Sequence, residues 1–223
     1  MSDSKLVFEK VVTAHEINRK TKPDFIQEFI EYLFYFVKVF VFVALIHIFI
    51  TRTLISPFTI VGTSMASSYK EDDSVYIDQF SPNFGDYERG DVVVLYSPPD
   101  KNGRRKMLIK RIIGLPSEKI VLDKDGKVFI VNSRYPDGVE LIEDYLDPGM
   151  PTYKNIQLEK SRFEEKVLRE KEYYVLGDNR TVSNDSRSFG VVKKKDIVGR
   201  EIYRLKPPEK KGFFKLPKYN IDN

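Results

Sequence analysis

Polar and apolar positions recur on different periods in different stretches of this chain, and the changes of period mark its elements. Residues 1–31 are polar and mixed in charge. Residues 32–50 then read YLFYFVKVFVFVALIHIFI, apolar on every face and broken only by Lys38 and His47. A helix lying on a soluble core keeps a polar stripe, so a run apolar all round predicts a helix in lipid. About 20 residues suffice to cross the hydrocarbon of a bilayer. Residues 32–51 are accordingly assigned to one transmembrane helix, and 1–31 to a cytoplasmic segment. Lys38 lies near the N-terminal end of the run, where its stem lets the ammonium reach the interface. The run exceeds the apolar core of a cleavable leader and TRTLISPF after it offers no small-x-small site, so the anchor is retained. Arg19, Lys20 and Lys22 precede the span, whereas only Arg52 closely follows it. That bias favours an N-terminus inside and a body outside.

Beyond residue 52 the period shortens. SVYIDQF, DVVVLYS, KMLIKRIIGL, KIVLDKDGKVFIVN, EYYVLGD and DIVGREIYRL are short β-rich runs separated by Gly, Pro, Asp and Asn. They predict a mainly β body built from antiparallel sheet. KDGK at 124–127, between KIVL and VFIV, is a hairpin turn signal. Residues 134–170 are polar and irregular, which places a hairpin and cap insertion at about 123–172 within a body of 52–205. Residues 206–223 form a basic tail with Phe213 and Phe214 among its lysines. Either contact with an anionic lipid surface or a solvated terminus is expected of it.

Composition narrows the chemistry. The 223 residues carry a net charge of +4 and no cysteine, and the histidines are only His15 and His47. Cysteine nucleophiles, disulfides and thiolate metal sites are excluded. A Ser–His–Asp triad or a histidine zinc site in the body is excluded as well. A hydrolase built on this body must use Ser or Thr with Lys, or paired carboxylates. No basic stripe with interleaved aromatics points to nucleic acid.

Three stretches carry candidate chemistry. In SPFTIVGTSMASS, residues 56–68, Ser64 follows Gly62 where an extended run can turn and expose a hydroxyl; a plain loop serine reads the same way. In KMLIKRIIGLP, residues 106–116, Lys110 and Arg111 interrupt an apolar strand, and alternation turns one of the two inward. A lysine among apolar groups loses hydration of its charged form, so its pKa falls toward what a general base requires. A charge pair guarding an edge strand is the alternative. In YYVLGDNRTVSNDSRSFG, residues 173–190, a β run ends in GDN and a dense set of short polar side chains, either a bonded knot or a solvated loop.

Taken together and in order, with GDVVVLYSP at 90–98 between the first two, these stretches resemble the conserved boxes of bacterial type I signal peptidases. The resemblance covers roughly residues 30–122 and 173–204. It implies an antiparallel-sheet protease core with a small inserted cap behind one transmembrane helix. It implies that Ser64 is the nucleophile and Lys110 the general base, with Ser183 orienting the lysine amine. Asp185 and Arg187 would brace the site by a salt link, while Asp178, Asn179 and Arg180 shape the loop. The Ser64 backbone N–H would donate to the oxyanion. Phe58, Ile60, Met65, Leu108 and Ile109 match positions lining shallow pockets for small signal-peptide residues, with Val93 and Val94 as further additions. No cofactor and no metal is implied. The implied partners are signal peptides of secreted preproteins and membrane lipid, with the secretion machinery as a further candidate and no nucleic acid. The implied location is the cytoplasmic membrane, single-pass, with the catalytic domain on its outer face.

Two departures stand out. The family usually reads Ser-Met-x-Pro-Thr, whereas this chain has Ser64-Met65-Ala66-Ser67-Ser68, without the turn-setting proline. Gly62 occupies the position where some members place a serine that completes the oxyanion hole. The missing proline keeps one alternative in view, a catalytically inactive membrane-anchored binding module of the same fold. Soluble self-cleaving repressors share the dyad, but place a DNA-binding domain where this chain has its apolar run.

Overall fold

A computed structural model describes residues 25–50, 54–123, 126–148 and 164–221. Arg19, Lys20, Lys22, Arg52 and the middle of the expected cap lie outside these residues.

The chain divides into two units, residues 1–50 and 51–223. The described part of the first is α1, Phe25–Phe49, a helix of 25 residues with no buried side chain. At 1.5 Å per residue it is about 37 Å long, ample for a bilayer core. It begins about two turns before residue 32, since Glu28 and Glu31 are good helix formers and Glu28 suits the first turn. Lys38 therefore falls at the middle of the helix rather than close to its N-terminal end.

The second unit is built on two antiparallel sheets. The strands are β1 Ile55–Thr59, β2 Ser74–Asp78, β3 Val92–Tyr96, β4 Met107–Gly114, β5 Lys119–Leu122, β6 Val128–Val131, β7 Val139–Glu140, β8 Glu164–Val167, β9 Glu172–Leu176, β10 Val192–Lys193, β11 Ile197–Lys206 and β12 Gly212–Phe213. The larger sheet runs β1-β2-β11-β3-β4-β9-β10, with β12 also on β11, and the smaller runs β7-β6-β5-β8. β3 and β4 read VVVLY and MLIKRIIG, with almost every residue after the first two of β4 buried. Such continuous burial marks strands covered on both faces.

The strands flanking KDGK pair as expected of a hairpin, Lys119 with Val131 and Leu122 with Val128, while Lys124 and Asp125 lie outside the described residues. β8, EEKV, has no apolar run to announce it. It is an edge strand that pairs β5, and Lys119 meets Glu165 at 3.3 Å. Charge across an edge suits a strand that must not aggregate.

The expected solvated or membrane-bound tail is also revised. Residues 206–221 are part of the body: Gly212 and Phe213 pair with β11, and Tyr219 and Ile221 are buried with Ile113, Leu141, Leu168 and Leu176. Apolar residues spaced along the basic segment supply that burial. Of the two phenylalanines, Phe213 keeps the expected exposure, at 78%, while Phe214 packs half-buried beside Ile60 and Met65.

Candidate active site

The turn that carries Ser64 follows β1. Gly62 has φ of +88°, a left-handed backbone that side chains rarely adopt, and this turns the chain out of its extended path. Residues 63–69 then coil: Ala66 N donates to the Thr63 carbonyl at 3.1 Å and Tyr69 N to the Met65 carbonyl at 2.7 Å. Tyr69 anchors the end of the coil, donating its hydroxyl to buried Glu201 on β11 while Arg204 stacks 3.8 Å above its ring.

β4 delivers the lysine. Lys110 pairs Val93 across the sheet and is 2% exposed. Its amine lies 2.7 Å from Ser64 Oγ and 2.7 Å from the Ile109 carbonyl. Burial lowers its pKa from 10.5 to about 8, while Asp185 and Asp178 pull it up and Arg187 pushes it down. Loss of hydration penalises the ammonium more than the neighbouring carboxylates support it.

The next residue is buried as well. The alternation that turns Lys110 toward Ser64 turns Arg111 to the other side of β4. There it grips Asp178 in a bidentate pair of 2.9 and 2.5 Å, donates to the Gly90 carbonyl, and covers Tyr145 at 4.2 Å. Strand alternation alone turns only one of the two inward. A sheet covered on both faces buries both.

The loop after β9 clasps the turn. Asn179 N donates to the Ser64 carbonyl at 3.0 Å, its side-chain amide donates to the Thr63 carbonyl at 3.1 Å, and Asp178 N approaches Met65 Sδ at 3.4 Å. Asp185 binds Arg187 through both oxygens, at 2.8 and 2.7 Å, and accepts from Gly177 N at 3.0 Å. It also caps α2, Ser186–Phe189. Gly177 is required by close approach: a Cβ there would lie 2.1 Å from Ser183 Oγ and 2.5 Å from the Ser64 carbonyl oxygen. Arg180 is fully buried against Glu143, a partner contributed by the segment after β7. No motif in that segment flags Glu143 in the sequence.

Ser183 departs from the role the resemblance implied. Its Oγ is buried and has no hydrogen-bond partner among the described residues. The lysine amine is turned to Ser64 and Ile109 instead. The pocket residues also divide. Ile60, Met65 and Ile109 are buried in one cluster with Phe58 against it, whereas Leu108 packs with the cluster on the other side of the sheet. Met65, Val93 and Val94 are wholly buried in the core and Ile60 and Ile109 nearly so, which leaves Phe58 and Leu108 as the expected pocket residues that keep exposed surface. Among the described residues, Met107–Lys110 have no strand on the edge that β9 takes from Arg111 onward, and β1 pairs β2 alone.

Comparison with known proteins gives this geometry a context. The family described as "Signal peptidase, peptidase S26" matches residues 33–205, more than half of the chain. The chain belongs to that family. Signal peptidase IB of Staphylococcus aureus is 30% identical over 190 residues, 81% of this chain and 90% of that protein. Signal peptidase I P of Bacillus subtilis subsp. natto is 35% identical over 167 residues, 72% of this chain and 83% of that protein. A signal peptidase I crystal structure from Enterococcus faecalis aligns at 32% identity over 52% of this chain and 97% of its own, with a TM-score of 0.38. The chain is thus an S26 serine endopeptidase, and family membership supports signal-peptide cleavage, with preproteins bearing such peptides as substrates. Among the described residues one helix, near the N-terminus, is long and apolar enough to cross a membrane, which accords with a membrane-anchored enzyme.

Proposed function

We propose that this chain is a membrane-anchored signal peptidase I working through a Ser64–Lys110 dyad. The reading is carried by one observation, the 2.7 Å separation of Lys110 Nζ and Ser64 Oγ at a lysine that burial makes easy to deprotonate. Neutral Lys110 accepts the Ser64 proton as Oγ attacks the scissile carbonyl, and returns it to the leaving amine. The lysine then takes a proton from the water that hydrolyses the acyl-enzyme. The Ser64 backbone N–H, set by the turn after Gly62, donates to the developing oxyanion.

The substrate adds as an extended strand to the free edges of β1 and residues 107–110, by strand addition. Its alternate side chains meet the shallow surface that Phe58 and Leu108 offer over buried Ile60, Met65 and Ile109, so positions −1 and −3 are small. The anchor leaves the N-terminus inside and the body outside. The test uses the full chain in detergent and a signal-peptide reporter. Cleavage is expected after the −1 residue, and it is lost in Ser64→Ala and when the −3 alanine is made bulky. A Ser64→Ala variant that still cleaves would refute the dyad, and unchanged turnover of the bulky reporter would refute the pockets.

A further inference from the structure

The nucleophile turn is held by more than the boxes that carry the family resemblance. Ser67, where the family's proline is missing, directs its hydroxyl at the Asp178 carbonyl (3.3 Å) and at Asp147 Oδ2 (3.1 Å). Asp178 heads the loop that clasps Ser64. Asp147 closes a segment, residues 141–147, that arrives from β7 of the smaller sheet. That segment touches the site at two further points. Glu143 pairs with buried Arg180 at 2.7 Å, and Arg180 Nε holds the Gly177 carbonyl at 3.1 Å, beside Ser183. Tyr145 donates to Glu143 and lies under the Arg111 guanidinium that grips Asp178. From behind, the segment is fixed by Leu141 N to the Val128 carbonyl (2.8 Å) and by Ile142 N to Asn220 Oδ1 (2.9 Å).

We propose that residues 141–147 form a strap that positions the dyad, and that Ser67 is the positioning residue through which the strap reaches the nucleophile turn. This rests on the dyad reading above. A turn set by a proline is stiff through its own backbone. A turn set by Ser67 is stiff only while its hydroxyl is bonded, so its alignment depends on where Asp147 stands. Ser67 is three residues from Ser64 and touches no reacting atom. Asp147 is exposed, which leaves it little to do for stability. Misplacing a reacting oxygen by a fraction of an ångström lowers turnover without weakening ground-state binding.

The experiment compares the full chain in detergent with Ser67→Ala, Ser67→Thr, Asp147→Ala and the Ser67→Ala/Asp147→Ala double variant. Steady-state kinetics on the reporter and hydrogen exchange of the Asn179 and Ser183 amides are measured on each. Ser67→Ala is expected to lower kcat about 3- to 10-fold, the worth of one hydrogen bond, at unchanged KM and melting temperature. Asp147→Ala lowers kcat less, and the double variant falls no further than Ser67→Ala alone. Ser67→Thr, which keeps the hydroxyl, restores turnover. Exchange of the two amides quickens in step with the losses. The proposal is overturned by unchanged kcat and exchange in Ser67→Ala, by an Asp147→Ala variant that matches wild type, or by losses that simply multiply in the double variant. Because exchange is read without turnover, it decides the proposal even for a chain that leaves the reporter intact, an outcome that would sink the dyad reading alone.

Discussion

The proposed dyad makes a sharp demand on pH. An ordinary lysine at 10.5 would be neutral in roughly one molecule in three thousand at pH 7. With its pKa lowered to about 8 by burial, Lys110 is neutral in about one in ten. The gain in reactive enzyme is some 300-fold, from environment alone. Reporter cleavage followed from pH 6 to 10 should therefore show kcat/KM rising about tenfold per unit and levelling near pH 8. The same shift is a stability statement. Between about 8 and 10.5 the unfolded chain binds a proton that the native chain has released, so native stability rises with pH across that window. The rise totals about 3 kcal/mol, and below pH 8 the native state bears the whole penalty. Denaturant titrations of wild type and Lys110→Met at pH 7.5 and 10 isolate it, because the other titrating groups are common to both. Lys110→Arg should be as inactive as Lys110→Met, since arginine does not deprotonate. An activity limb that stays above pH 10, or near-normal turnover in Lys110→Arg, would show that the lysine serves as a fixed charge and not as a base.

Three further outcomes follow from contacts around the dyad. Ser183→Ala should change stability by about 1 kcal/mol or less, because its buried hydroxyl has no partner to lose among the described residues; a roughly tenfold fall in kcat would mark a bond made to Lys110 during turnover, and inactivity as complete as Ser64→Ala would make it a third reacting group. Gly177→Ala should fold less stably and lose nearly all turnover, since its Cβ would sit 2.1 Å from Ser183 Oγ; normal kinetics would show that the loop yields. Asp178→Ala leaves Arg111 buried and unpaired, with an expected loss of about 3–5 kcal/mol in chemical denaturation, and a loss below about 1 kcal/mol would mean that Arg111 finds water.

Much of this was legible in the sequence because its signals were periodic or local. The apolar run from 32 to 50 announced α1, and the short β-rich runs became β2 to β6, β9 and β11. Lys110, an isolated charge in a strand of Ile and Leu, told of its burial through its setting. What was missed had no local signature. Glu143 is one acid among many in a polar stretch, and only the tertiary fold carries it to Arg180. β8 is charged because it is an edge, so its composition hid it. Tyr219 and Ile221 lie among lysines and asparagines that read as a tail, yet two apolar side chains suffice to seat the segment in the core. The Ser183 hydroxyl is a case of the reverse kind, placed beside the site by its motif and left without a partner among the described residues.

The charged pairs around the dyad have a consequence for the medium in which the enzyme works. Arg111–Asp178, Arg180–Glu143 and Arg187–Asp185 all have side chains less than a tenth exposed. Mobile ions screen exposed charges over about 8 Å at physiological ionic strength, but they do not enter a packed interior. Asp178, Asp185 and Arg187, the charges acting on Lys110, are thus shielded from salt, and the dominant influence, burial, involves no ion at all. The proposed dyad, tuned in this way, keeps its working pH from dilute to saline surroundings. Brine and fresh water present it with the same lysine.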